Sequence, residues 1–200
     1  MSKMTMRIAI LILLAGLFTS PAYADDAKVT VENLHAELLA AMRRAPELGY
    51  RGRYDLLYPT VNAAFDFETI GRIVTGAAWK TANEAQKAEF KAVFSTLSVA
   101  TYATNFSGYN GEKFVTLGSE PKRNAIIVKT HLVKTDGEKI SLNYMLREHN
   151  DMWLIVNVIA QGVSDLSLKR AEYSAVIQSE GFDSLTKRLG EKVKEMNHGS

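Results

Sequence analysis

The chain has 200 residues, 24 lysines and arginines against 22 aspartates and glutamates, and no cysteine. That length is enough to bury a sizeable core. The near-neutral balance argues against the concentrated basic stripe of a nucleic-acid binder, and the lack of cysteine excludes disulfides, thiolate chemistry and cysteine-ligated metal.

The first residues read as an export signal. Lys3 and Arg7 precede an apolar run from Ile8 to Leu14 that continues to Phe18, and Pro21 is followed by Ala22-Tyr23-Ala24. This three-part pattern predicts cleavage after Ala24 and a periplasmic mature chain, residues 25–200, forming one domain. The apolar run falls short of the about 20 residues that span a bilayer. Without Lys3 and Arg7, 22 basic residues face 22 acidic ones, so the mature protein is close to neutral.

The mature chain begins helical. From Val29 to Arg44, Val31, Leu34, Leu38, Leu39 and Met42 recur at helical spacing, and Pro46 and Gly49 end the pattern. A second helix is expected from Asp55 to Phe65, and a short one over the following residues puts Phe67, Ile70 and Ile73 or Val74 on one side. Thr81 stands three residues before Glu84, the capping-box spacing, so a helix is expected to start there and run to Phe106. Gly108 and Asn110-Gly111 stop it.

The period then drops to two. Phe114 to Leu117, Asn124 to Val133, Glu138 to Arg147 and Met152 to Val163 read as four strands of an antiparallel meander, with Asp136-Gly137 as a hairpin turn. One face carries Ile126, Val128, Thr130 and Leu132, then Ile140, Leu142, Tyr144 and Leu146; the other is mostly polar. In the last strand Trp153, Ile155 and Ile159 oppose Leu154, Val156 and Val158. Helices return over 164–195, with Ser164 as an N-cap and Gly181 as a break. Helices, sheet, helices make an α+β fold. Periodicity alone leaves open whether the apolar sheet face is ordinary core or the wall of a cavity.

No residue set nominates an enzyme. His35, His131, His149 and His198 lack metal-ligand spacing, and no nucleophile elbow, P-loop or dinucleotide fingerprint occurs.

Specific stretches carry a family likeness: Phe65-Asp66-Phe67 leading to Ile73-Val74 and Trp79, Phe90 to Tyr102 with Thr101-Tyr102-Ala103, Trp153 to Val158, Gly162-Val163-Ser164, and Tyr173 to Leu185. In order and spacing they resemble the MlaC, or toluene-tolerance auxiliary, family of periplasmic phospholipid-binding proteins. The stretch from Phe106 to Phe114 is similar to the hopanoid-associated HpnM-like branch. Asn157 stands where the family often has an acidic residue.

The resemblance implies a twisted four-stranded antiparallel sheet flanked by helices, of the cystatin/NTF2-like class, enclosing an apolar cavity. It implies a carrier of phospholipid or hopanoid-type lipid. Cargo would pass between an inner-membrane ABC-type transport complex and an outer-membrane lipoprotein complex, with no cofactor and no catalysis. Pattern and resemblance together nominate Phe67, Ile70, Val74, Tyr102, Phe106, Val128, Leu142, Tyr144, Val156, Val158, Val163 and Tyr173 as cavity lining. The Tyr144 and Tyr173 hydroxyls are expected near a headgroup. The alternative is an exported NTF2-like module that docks a protein or a small non-lipid ligand, which polar groups pointing into the pocket would favour.

Overall fold

The computed structural model describes residues 21–198; the basic and apolar parts of the expected leader lie outside the described residues. In helix α1 (Pro21–Arg43) the residues Ala27, Val31, Leu34, Leu38 and Ala41 recur every three or four positions and are completely buried. That stripe turns the helix onto the sheet. Helix α2 (Ala45–Ala64) starts ten residues before the expected Asp55. Pro46 sits in its first turn, where a missing N–H costs nothing, and Gly49, at φ 57°, accommodates a kink. Buried Arg53 ties α2 to the end of the fifth helix by donating from Nε to the Ala103 carbonyl at 2.9 Å.

Helix α3 (Phe67–Thr75) is capped by Asp66, whose carboxylate accepts from the Thr69 amide at 2.8 Å. The Asp66 amide donates to the Ile155 carbonyl at 3.0 Å, which pins the start of α3 to the sheet. Gly71 lets α3 lie directly on Trp79 of helix α4 (Ala77–Thr81): a β-carbon there would come within 2.9 Å of the indole ring. Helix α5 (Glu84–Asn105) begins one cap later than expected. Thr81 ends α4, and the capping box is formed by Asn83 and Gln86.

The expected four strands become five. Strands β1 (Lys113–Lys122), β2 (Ala125–Val133), β3 (Lys139–His149), β4 (Met152–Ala160) and the two-residue β5 (Val163–Ser164) form an antiparallel sheet in sequential order. The last expected strand is divided because Gln161 and Gly162, at φ 50° and 81°, turn the chain back on itself. The alternation expected in β4 also fails. Between the Leu146–Ile155 and Met145–Asn157 pairs the register slips by one, so Val158, not Asn157, pairs with Tyr144 on the inner face. A bulge moves every later side chain to the opposite face.

Two helices close the chain. In α6 (Asp165–Glu180) the Ser164 hydroxyl caps by accepting from the Ser167 amide, and α7 (Phe182–His198) follows after Gly181. Two cores result. One joins α1 and α2 to the sheet through Leu34, Leu38, Leu57, Val61, Leu146 and Ile155. The other joins α3 to α7 through Trp79, Phe90, Phe94, Tyr173, Leu185 and Leu189.

Candidate functional site

A cavity of about 440 Å³ lies at the seam between these two cores. Its volume falls within the range of ligand pockets, about 300–1,000 Å³. Helix α5 supplies one wall through Phe94, Leu97, Ser98, Thr101, Tyr102 and Asn105, a stripe at helical spacing. Leu132, Ile140, Leu142, Tyr144, Val156 and Val158 supply the sheet wall, and Phe65, Phe67 and Ile70 close the side beneath α3. Asp165, Leu166, Lys169, Glu172 and Tyr173 of α6 complete it with Lys192 and Met196 of α7.

One wall is built largely of aromatic rings. Phe106, Tyr102, Phe65, Phe67, Phe94 and Tyr173 form one arc, each ring centroid 5.8 to 6.2 Å from the next. Edge-to-face, tilted and stacked pairs at these separations are the arrangements that aromatic rings prefer. An aromatic arc opposite an aliphatic sheet face leaves room for a flexible apolar guest.

Polar groups in the wall are mostly engaged by the protein itself. The Ser98 and Thr101 hydroxyls donate back to the Phe94 and Leu97 carbonyls, each at 2.8 Å. Lys169 pairs with Asp165, and Asn157 Oδ1 accepts from the Leu166 amide and the Ser164 hydroxyl, both at 3.1 Å. Asn157 thereby anchors the start of α6. The Tyr144 hydroxyl shares a hydrogen bond of 3.0 Å with His35 Nε2, and His35 stacks on Phe114 with ring centroids 3.9 Å apart. Burial lowers the His35 pKa to about 4, so the imidazole is neutral at pH 7. Burial likewise raises the Tyr102, Tyr144 and Tyr173 phenols above their ordinary value, which keeps their protons on.

Nine of the twelve residues nominated from the sequence line this cavity: Phe67, Ile70, Tyr102, Phe106, Leu142, Tyr144, Val156, Val158 and Tyr173. The other three do not. Val74 is sealed in the core beneath α3, and Val128 is sealed between the sheet and α1. Val163 is 51% exposed, because the turn at Gln161-Gly162 carries it out of the fourth strand. The Tyr144 hydroxyl, expected near a headgroup, is engaged by His35. Sequence reasoning missed Phe94 and Leu97, although both fall on the α5 stripe that carries Tyr102. It also missed Leu132 and Ile140, direct partners across the β2–β3 ladder, and Met196, one residue past the expected end of the last helix.

Among the described residues no group of histidines and carboxylates could hold a metal ion, and no helix is long and apolar enough to cross a membrane. A family model described as MlaC protein matches residues 32–191. The chain belongs to the MlaC family. Its fold is also similar to the solved structure of a phospholipid-binding protein from Ralstonia solanacearum in complex with a phospholipid. The TM-score is 0.73 at 20% sequence identity, over 86% of this chain and 99% of that one. As an MlaC family member, the chain places its cavity between a helical layer and the inner face of an antiparallel sheet.

Proposed function

We propose that this protein is a periplasmic lipid carrier without catalytic activity, cleaved after Ala24, whose cavity holds the acyl chains of a phospholipid. The observation that carries this reading is the aromatic-lined cavity at the seam of two cores, in a chain of the MlaC family. The phospholipid bound by the Ralstonia protein supports the choice of cargo. The stretch from Phe106 to Phe114, similar to the hopanoid-associated branch, makes a hopanoid-type lipid the second candidate.

Transfer energetics explain why a carrier needs little else. Exposing about 30 methylenes to water costs on the order of 24 kcal/mol, at about 0.8 each. Moving them from a bilayer into an equally apolar cavity nearly cancels that term. The carrier then requires a docking partner that shields the passage, here the membrane-bound complexes at the inner and outer membranes. No covalent step is involved.

Native mass spectrometry of the protein purified from a Gram-negative periplasm, followed by organic extraction, tests this reading. A discrete lipid adduct that extraction removes is expected, and its mass chooses between phospholipid and hopanoid. A clean apo mass, with no uptake from phospholipid vesicles, would sink the carrier reading in favour of a protein-docking module.

A further inference from the structure

Two hydroxyls in the cavity wall have no protein partner. Tyr102 and Tyr173 both line the cavity, and Tyr173 is only 2% exposed. Neither phenol oxygen has a hydrogen-bond partner among the described residues. Neither is walled in by protein: among the described residues the one fully enclosed side-chain atom without a partner is Arg147 Nε. Both tyrosines belong to the cavity lining. By contrast, Tyr144 is engaged by His35, and Ser98 and Thr101 are turned back on their own helix.

A buried hydroxyl left unbonded is costly, so a site that keeps two of them is suited to a guest that supplies acceptors. Both phenols keep their protons, chiefly through burial. They are therefore donors. Tyr173 stands on α6, from which Asp165, Lys169 and Glu172 bring polar groups to the same wall. Acyl chains carry no acceptors along their length. In an ester-linked lipid the acceptors closest to the chains are the carbonyl oxygens at which the chains begin.

We propose that the Tyr102 and Tyr173 hydroxyls donate hydrogen bonds to ester carbonyl oxygens of the bound lipid, so that the cavity selects ester-linked lipids over ether-linked or purely hydrocarbon ones. This inference rests on the carrier reading above and names the chemistry that its site recognises.

The test compares two vesicle preparations, one of diester phosphatidylethanolamine and one of the dialkyl-ether analogue with the same headgroup and chain lengths. Protein stripped of co-purified lipid is offered both, and uptake is read by native mass spectrometry. The wild-type protein is expected to favour the diester by roughly two- to ten-fold per engaged hydroxyl, the factor of one neutral hydrogen bond. Tyr102→Phe and Tyr173→Phe should each lower diester uptake by about that factor, leave ether uptake unchanged, and together abolish the preference. Thermal melts establish that each variant folds; if Tyr173→Phe does not, Tyr102→Phe and the wild-type comparison decide. Equal wild-type uptake of both lipids overturns the proposal and leaves the carrier reading intact. So does an equal loss of both lipids in the phenylalanine variants, which would assign the hydroxyls to the phosphate or to packing. Uptake of neither lipid overturns the carrier reading and the proposal with it.

Discussion

One inner sheet face meets two different helical layers, and they treat it in opposite ways. Beneath α1 and α2 the face is covered by aliphatic side chains, with Leu34, Leu38, Leu57, Val61, Leu146 and Ile155 all at 0% exposure. Towards α5, α6 and α7 the large residues are Phe65, Phe67, Phe94, Tyr102, Phe106 and Tyr173, and about 440 Å³ stays open. Helix α6 buries Tyr173 alone among its 16 residues. Branched aliphatic chains interdigitate to interior density, whereas rings braced against one another keep their separation. The inner face is thus filled on the α1 side and left open where it fronts α5 and α6.

The largest expected effect lies in the aliphatic layer. Leu38→Ala removes a completely buried side chain from between α1 and the sheet. Denaturant unfolding is expected to show a loss of about 2–5 kcal/mol, with lipid content per folded molecule unchanged. A fall in bound lipid at full stability would break the division between the two layers.

His35 joins them, because it reaches from α1 to Tyr144 in the cavity wall. Its pKa falls from 6.5 to about 4 on folding, so the unfolded chain takes up a proton first as the pH drops. The stabilisation is therefore complete above about pH 6.5 and is lost as the pH falls towards 4, by about 3 kcal/mol in total. Carboxylates titrate over part of the same window, so the useful quantity is the difference between wild type and His35→Gln, each unfolded at pH 7 and pH 4. The wild type should lose about 3 kcal/mol more than the variant. Parallel losses would remove His35 from the account.

The aliphatic layer was the more legible of the two in the sequence. Leu34 and Leu38 repeat at the helical period, and the alternation in β2 and β3 identifies the inner face at Tyr144 and Leu146 without any structure. The cavity wall was legible where it lies on unbroken elements, as at Leu142 and Tyr102. It failed at irregularities. Nothing in the local pattern of Met152 to Val163 reveals the register slip at Val156, and Gly162 alone marks the turn, and so Val163 was expected inside and lies outside. Val74 and Val128 fail differently. Periodicity says which face a residue shares, whereas the helix layer above it decides whether that part of the face is filled or open.

The open layer can be probed where it has slack. Leu142 is half-buried in the sheet wall, whereas Val156 is almost fully enclosed, so a charge at Val156 tests folding as much as binding. Leu142→Glu is expected to lower co-purifying lipid at least about ten-fold, because a carboxylate in an apolar cavity strongly disfavours acyl chains. Its unfolding free energy should fall by less than that of Leu38→Ala. Undiminished lipid in a folded Leu142→Glu variant would place the chains elsewhere.

The smallest effect concerns how the open layer is fixed in position. Beside their shared core, its helices also use local devices, of which the Asn83–Gln86 capping box at the start of α5 is the clearest. Gln86 also donates to Asp183 of α7 at 2.8 Å, so one cap orients two helices that meet over the cavity. Asn83→Ala removes the acceptor for the Gln86 amide and should cost about 1 kcal/mol of stability in thermal or denaturant unfolding. Phe94 and Tyr102 lie two or more turns further along α5, so lipid retention should persist. If retention falls as steeply as in Leu142→Glu while stability hardly changes, the orientation of α5 governs the cavity more than its lining does. The aromatic arc would then be a consequence of helix placement instead of its cause.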